Sequence, residues 1–225
     1  MNDTSTPILN QWLSKLKKYA NLQHKDQQID QNCIKKKVTN ALMKTSPWKA
    51  TGEDKIPTYL YKIFPAAQQF LISFITETLQ DKTKLTQADT RANVILLYKK
   101  GDEKDPANYR PIALLNTDYK LMTAAIAETI KESAPEWAIP PEQLAREKVW
   151  GTTHGFLLDK SITQLARMRR TTHYSSWYDF KKAFDSIHHK HLKRLIDCLP
   201  IHKKIQQALK HAMNLWSVRV TVGKN

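Results

Sequence analysis

A carboxylate beside a run of aromatic side chains is the first place in this chain where chemistry is conceivable. Asp179 follows Trp177 and Tyr178, and residues 175–180 carry the pattern of a β-strand that ends in this carboxylate. A strand end holds a side chain rigidly, which suits a metal ligand for phosphoryl transfer. Because two metal ions need more than one carboxylate, a simple turn or cap role for Asp179 stays open.

Basic side chains gather around a predicted hairpin, the second candidate site. Residues 93–98 are rich in strand formers, residues 110–115 form another extended stretch, and the charged turn 101–106 separates them. The basic side chains around it are Lys99, Lys100, Lys104 and Arg110. One lysine, as a point charge, and one arginine, as a planar fork, hold a triphosphate well. The alternative is a solvated turn without a ligand.

A third cluster contains His188, His189 and His191. His188 and His191 would share a helix face, so a zinc site is conceivable. The sequence has no paired cysteines and no second histidine cluster, and we therefore favour a basic surface that faces solvent or nucleic acid. Cys33 and Cys198 are far apart and are expected to be reduced thiols of an intracellular protein.

Hydrophobic periodicity predicts the elements that must position these residues. Helices are predicted over 7–22, near 30–44, from Pro57, from Pro65, and over 118–132, 155–169, 189–198 and 201–216. Strands are predicted over 93–98, 110–115, 175–180 and 217–222. This order of helices and short strands indicates an α+β fold rather than a helical bundle.

Composition excludes several classes of protein. The chain has 225 residues, of which 41% are hydrophobic, enough for a packed core. Its longest apolar stretches, such as residues 122–127, fall far short of the ~20 residues of a membrane span, and no secretory signal is visible. The formal net charge is +15, and the C-terminal third is the most basic part. This balance favours a polyanion partner, most often nucleic acid, over a merely basic surface.

Four segments, taken in order, resemble one known family. They are residues 48–56, 95–99 with 108–112, 142–143 with 151 and 158–160, and 177–186. They are similar to the patterns W-K-x-P-G-x-D-G-I, L-I-P-K … N-Y-R-P-I, E-Q-K-G … L-I-D-K and W-I-D-Y-K-K-A-F-D-S. These patterns are typical of reverse transcriptases from non-long-terminal-repeat (LINE-like) retrotransposons. The resemblance covers about residues 40–222, and Met213 and Trp216 match a further M-x-x-W.

The resemblance implies a right-hand polymerase fold, with fingers and an incomplete palm of mixed helices and short antiparallel strands. It places a helical N-terminal extension at 1–45, a fingers-like region at 46–172 and the start of a truncated palm at 173–225. The implied activity is RNA-directed DNA synthesis, with an RNA template, a DNA primer and dNTP as partners. It implies no membrane and no small-molecule cofactor, and an intracellular location with the nucleus favoured.

The same resemblance assigns roles to individual residues. Asp179 matches the first catalytic metal ligand, and the backbone carbonyl of Phe180 is a second contact with the metal and nucleotide. Phe184 matches the bulky side chain that screens the sugar 2′ position of the incoming nucleotide. Lys99 and Arg110 match the fingers residues that grip its triphosphate. The implied cofactor is Mg²⁺, as a pair of ions.

Departures from the family pattern lower the expected activity. The sequence contains no Asp-Asp pair, so it supplies one of the three carboxylates that the two-metal site requires. The family's thumb is missing as well, and we expect the isolated chain not to polymerise. Thr51 stands for Pro, Lys55 for Gly and Tyr98 for Pro, while residues 143–146 read Gln-Leu-Ala-Arg for Gln-Lys-Gly-Cys. Lost glycines predict altered or relaxed turns.

Three interpretations therefore remain open from sequence. The first is a fragment of a reverse transcriptase. The second is a non-catalytic, basic nucleic-acid-binding protein derived from one, since phosphate contacts need only lysine and arginine. The third is a decayed remnant that folds poorly because strands 175–180 and 217–222 lack partners.

Overall fold

A computed structural model describes residues 7–23, 29–144, 150–180, 183 and 186–221. The chain divides into two compact units. The first unit is formed by Met1–Ser133 together with His189–Asn225, and the second by Ala134–His188. The domain boundaries expected after residues 45 and 172 stay a prediction.

Most of the described residues are helical. In the first unit the helices are α1 (Pro7–Gln23), α2 (Gln31–Lys44), α3 (Thr58–Ile63), α4 (Pro65–Gln80), α5 (Gln87–Thr90), α6 (Thr117–Ser133), α8 (His189–Cys198) and α9 (Lys203–Leu215); the second unit contains α7 (Gly151–Met168). The predicted helices are thus confirmed, and α5 was not foreseen. Among the described residues, no helix combines the length and apolarity needed to cross a membrane.

Local signals set several helix starts. Asp30 caps α2, because its carboxylate accepts the backbone N–H groups of Asn32 and Cys33 at 2.9 and 3.1 Å. Pro65 occupies the first turn of α4, where a residue without an N–H costs least. Both helices therefore begin where the sequence predicts.

The described strands form a three-stranded sheet in the order β2-β1-β3. The strands are β1 (Arg91–Tyr98), β2 (Tyr109–Leu114) and β3 (Ser217–Thr221). β1 and β2 pair antiparallel, which confirms the predicted hairpin. β3 pairs parallel to β1, with Arg91 opposite Ser217, so the expectation of antiparallel strands throughout is wrong. A parallel neighbour needs a long crossover, and residues 99–216 supply it.

The core of the first unit lies between helices. Buried apolar residues of α2, α4, α6 and α9 meet there: Ile34, Val38, Leu42, Leu71, Ile75, Leu79, Leu121, Met122, Ala125, Ile126, Ile205, Ala208 and Ala212. Leu13 and Leu16 of α1 are buried as well, and α1 packs against α8. The helical core positions the sheet because α6 begins just after β2 ends and α9 ends just before β3 begins.

The predicted strand over residues 175–180 is wrong. These residues form no helix or strand, and all of their side chains are exposed, with Trp177 at 79% and Tyr178 at 87%. A strand needs a neighbour for its backbone hydrogen bonds, and no described strand pairs with this segment. The other strand expected to lack a partner, at 217–222, does have one in β1.

Candidate functional site

Lys99 and Arg110 lie on the same face of the β1–β2 hairpin, close to its tip. Leu97 lies opposite Arg110 in the antiparallel register, so Lys99 comes level with Asn108. The Lys99 backbone N–H donates to the Asn108 carbonyl at 2.9 Å and extends the ladder by one step. Because side chains alternate along a strand, Lys99 and Arg110 are diagonal neighbours on one face. Both side chains are exposed.

Contacts within the hairpin tip hold its shape. Gly101 has a φ of +102°, and a Cβ atom there would lie 2.7 Å from the Asn108 side chain. Asn108 Nδ2 donates to the Asp102 carbonyl at 2.9 Å, and Tyr98 Oη donates to the Gly101 carbonyl at 2.7 Å. Tyr98 also packs edge-on against Tyr109, with the ring centroids 5.6 Å apart. These contacts hold the backbone of the tip and do not involve the side chains of Lys99 or Arg110.

Residues 48–56 wrap the N-terminal end of α6. Thr117 Oγ1 donates to the Ile56 carbonyl at 2.7 Å, and the Asp54 backbone N–H donates to Asn116 Oδ1 at 3.4 Å. The side chains of Asn116 and Thr117, at the start of α6, thus hold this segment. The contacts explain why the segment and the start of α6 form one structural unit.

Lys55 adopts a left-handed backbone conformation, with a φ of +56°. This is the position at which the resemblance places a glycine, and glycine reaches positive φ without steric cost. The turn is therefore not relaxed at this residue, because the backbone has a shape that favours glycine, and the alternative of an altered turn stays a prediction. The exposed lysine carries the strain.

Glu53 ties the same segment to two strands of the sheet. Its carboxylate pairs with Arg91 Nη1 of β1 at 3.3 Å and also with Arg219 of β3. In the parallel register Arg219 lies opposite Asn93, so both arginines extend from the face that carries Lys99. Glu53 thus offsets part of the positive charge of the two arginines at one end of this face.

A partly buried carboxylate lies beside this segment. Burial raises the pKa of Asp118 to about 6, and the neighbouring carboxylates Asp54 and Asp89 act in the same direction. Burial also raises the pKa of Tyr61 to about 12, with a contribution from Asp118 and Asp54. The backbone N–H of Tyr119 donates to Asp118 at 2.6 Å and partly offsets the cost of the charge. A perturbed carboxylate here reflects folding constraints and has no role in the candidate site.

Asp179 and Phe180 belong to the second compact unit, whereas the hairpin belongs to the first. Both side chains are exposed, and the expected strand end beneath them does not form. Phe184 lies outside the described residues. Within the ranges that the structure describes, no group of three His, Cys, Asp or Glu side chains could hold a metal ion. These residues therefore do not by themselves fit the two-metal site that the resemblance implies.

The histidine cluster has a structural role at one of its members. His189 packs edge-on against Trp216, with ring centroids 5.5 Å apart. His188 and His191 also have interaction partners. Neither Cys33 nor Cys198 forms a disulfide. Among the described residues the zinc alternative gains no support.

Sequence reasoning missed an exposed aromatic pair in the segment 48–56 and the start of α3. The rings of Trp48 and Tyr59 are stacked, with centroids 4.8 Å apart and planes 14° from parallel. Trp48 is 73% exposed, which is unusual for so large an apolar side chain. The signal in the sequence was a tryptophan followed by Lys49 in an otherwise polar loop.

The family model described as "Reverse transcriptase (RNA-dependent DNA polymerase)" matches residues 98–224. The match begins at the end of β1 and includes Lys99, Arg110 and Asp179. The chain belongs to the reverse transcriptase family.

Two curated relatives define the branch of the family that the chain is similar to. One is the "Retrovirus-related Pol polyprotein from type-1 retrotransposable element R2" of Popillia japonica, 27% identical over 135 residues, which are 60% of this chain and 18% of the relative. Another is the "Transposon TX1 uncharacterized 149 kDa protein" of Xenopus laevis, 32% identical over 118 residues, 52% of this chain and 9% of the relative. The resemblance to non-long-terminal-repeat retrotransposon proteins is confirmed. The chain spans less than a fifth of either relative.

Proposed function

We propose that this chain carries the nucleotide-gripping fingers and the first palm carboxylate of an RNA-directed DNA polymerase. The observation that carries the proposal is the placement of Lys99 and Arg110 on one face of a fixed hairpin, inside the region that matches the family. Residues 1–45 would then be an N-terminal extension, 46–172 the fingers and 173–225 the start of the palm. A nuclear location remains part of this proposal.

The hairpin has the chemistry of a triphosphate clamp. A lysine offers three donors at one point, and an arginine offers a planar pair of donors to two phosphate oxygens. Neither Lys99 nor Arg110 forms an ion pair with another residue in the described part of the chain, so their charge is available to a ligand. The contacts within the tip fix the backbone positions from which the two side chains extend, which limits the entropic cost of binding.

The proposed roles of Asp179 and Phe180 depend on residues beyond those that the structure brings together. Members of the family use a divalent metal ion, and we assign Asp179 and the Phe180 carbonyl to it, with Phe184 beside the sugar. The described residues do not complete such a site, as noted above. We therefore propose that this 225-residue chain does not extend a primer by itself, because it has no Asp-Asp pair.

Titration with a fluorescent dNTP analogue in the presence of Mg²⁺ tests the clamp. Lys99→Ala and Arg110→Ala should each weaken binding roughly 5- to 30-fold, as expected for loss of a charge-assisted contact. Lys104→Ala is the matched control, since Lys104 lies in the same turn and is not part of the clamp. Equal affinity of all four proteins would refute the clamp. In a parallel primer-extension assay, incorporation that is lost on Asp179→Ala would refute the proposed inactivity.

A non-catalytic nucleic-acid-binding role is the second candidate. The observation that favours it is a pair of open cavities that share Lys17 and Asp197. Arg194 lines one of them, and Lys203 and Lys210 line the other. Asp197 is their shared acidic residue and pairs with Lys210. Phosphate contacts of this kind weaken steeply with salt. RNA binding that is absent or unaffected by salt would exclude this role.

A further inference from the structure

The stacked pair of Trp48 and Tyr59 adjoins a small cavity of about 240 Å³. The cavity is lined by Thr45, Lys49, Thr58, Thr117, Lys120, Leu121, Thr123 and Ala124. Each aromatic residue is the chain neighbour of a lining residue, Lys49 or Thr58, and the Tyr59 N–H donates to the Pro47 carbonyl at 3.0 Å. Stacking surface and cavity are therefore parts of one local structure.

The cavity is suited to an anion of phosphate size. It is smaller than the roughly 300–1,000 Å³ of pockets that enclose drug-sized ligands. Its two charged lining residues are both lysines. Lys120 Nζ donates to the Ala50 carbonyl at 2.5 Å and keeps further donors. Burial and the nearby Lys49 ammonium lower the pKa of Lys120, and an anion bound between the two would relieve their repulsion. The hydroxyls of Thr45, Thr117 and Thr123 already donate to backbone carbonyls, so the two lysines supply the donors for an anion.

The aromatic pair is suited to a flat, unpaired ring. Tyr59 covers one side of the Trp48 indole, and the 73% exposure of Trp48 leaves much of the remaining ring in contact with water. A large exposed aromatic surface next to lysines is typical of proteins that stack nucleobases while binding the backbone. Neither Trp48 nor Tyr59 contributes to the core of the first unit, so packing of that core does not explain the stacked pair.

We propose that Trp48 stacks an unpaired nucleobase while Lys49 and Lys120 bind an adjacent phosphate of a single-stranded nucleic acid. The site is different from the clamp of Lys99 and Arg110, and it rests on the proposed function only in that the chain handles nucleic acid. The Asp54 carboxylate interacts with the Lys120 ammonium and offsets part of the positive charge of the site. The stacked face should accept any base, because every base has a π-face.

The test compares a short labelled oligodeoxyadenylate with an abasic strand of the same length by fluorescence anisotropy. The wild-type chain should bind the strand with bases about 5- to 150-fold more tightly, the range that loss of a base–aromatic stack produces. Trp48→Ala should abolish this preference, and Trp48→Phe should restore much of it. Trp150→Ala is the matched control, because Trp150 is 77% exposed and lies outside the site.

The lysines give a second, independent readout. Lys49→Gln should weaken binding of both strands equally and reduce the slope of log affinity against log salt by about one. Lys36→Gln, an exposed lysine on α2, should leave both unchanged. Equal wild-type affinity for the two strands, a preference that survives Trp48→Ala, or no binding at all would overturn the inference. The dNTP titration of the Lys99 and Arg110 variants is independent of these outcomes, so failure of the two proposals can be told apart.

Discussion

A Cβ atom at Gly52 would lie 2.2 Å from Oδ1 of Asn116 and 2.4 Å from its backbone nitrogen. The contact places the loop before α3 directly against the start of α6, with no room for a side chain. Gly52→Ala should therefore destabilise the chain by about 1–3 kcal/mol, because backbone atoms must move. Urea unfolding measures the change. Gly155→Ala is the control, since its Cβ would meet a single Leu144 atom at 3.9 Å, and unchanged stability of the Gly52 variant would contradict the structure.

Lys55→Gly should increase stability, or leave it unchanged, although glycine usually weakens folded chains. The positive φ of Lys55 is costly for any residue with a Cβ, and the gain of about 1 kcal/mol offsets the higher entropy of the unfolded glycine chain. Lys55→Val should lower stability, because a branched Cβ fits this conformation least. Thermal unfolding of the three proteins decides the matter. The reverse ranking would show that the backbone is not left-handed at this residue.

The partly buried carboxylate of Asp118 should make stability depend on pH. Its pKa is raised from 3.8 to about 6 in the folded chain, so the native state binds protons more readily than the unfolded state. Stability therefore falls as pH rises through this range. Asp118→Asn keeps an acceptor for the Tyr119 N–H and removes the charge, and it should stabilise the chain by about 1–3 kcal/mol at neutral pH.

The same variant should have little advantage near pH 4, where Asp118 is protonated in the folded chain. Melting temperatures of wild type and Asp118→Asn across this pH range provide the measurement. A constant difference between the two proteins at all pH values would show that the carboxylate is not the titrating group.

Trp216 and Tyr119 should respond unequally to removal of their polar atoms. The indole N–H of Trp216 donates to the phenol oxygen of Tyr119 at 2.7 Å. Tyr119 is 3% exposed and Trp216 45% exposed, so water can replace the lost partner of the indole more easily than that of the phenol. Trp216→Phe should cost about 1–3 kcal/mol, and Tyr119→Phe about 1 kcal/mol or less.

A double variant separates this asymmetry from simple loss of packing. Trp216→Phe combined with Tyr119→Phe should recover part of the cost of Trp216→Phe, because no buried hydroxyl is left without a partner. Additive losses in urea unfolding would rule out the hydrogen bond as the cause.

Helices and the hairpin were predictable from the sequence because their signals are local. Pro65 opens α4, and the periodic apolar residues of α9 from Ile205 to Met213 are buried as their spacing requires. The common face of Lys99 and Arg110 follows from the antiparallel register once the hairpin is recognised. In these cases a short stretch of chain contains both the pattern and its partner.

The features that escaped prediction depend on contacts between distant residues. Residues 175–180 have the composition of a strand, yet in the described chain no neighbour pairs with them. The parallel pairing of Arg91 with Ser217 cannot be inferred from either strand in isolation. Lys55 kept a left-handed backbone although its glycine is missing, because contacts of Asn116 and Thr117 fix the loop around it. Stacking of Trp48 on Tyr59 likewise joins two elements.

Because β1 pairs with β3, the sheet cannot be completed until β3 has been synthesised. β1 and β2 leave the ribosome together, whereas Ser217–Thr221 follow more than a hundred residues after Tyr98. At roughly 5–20 residues per second, one edge of β1 stays unpaired for on the order of ten seconds. An open strand edge is a template for pairing with other chains. The nascent protein therefore passes through a period in which neighbouring chains compete with β3 for the same backbone groups.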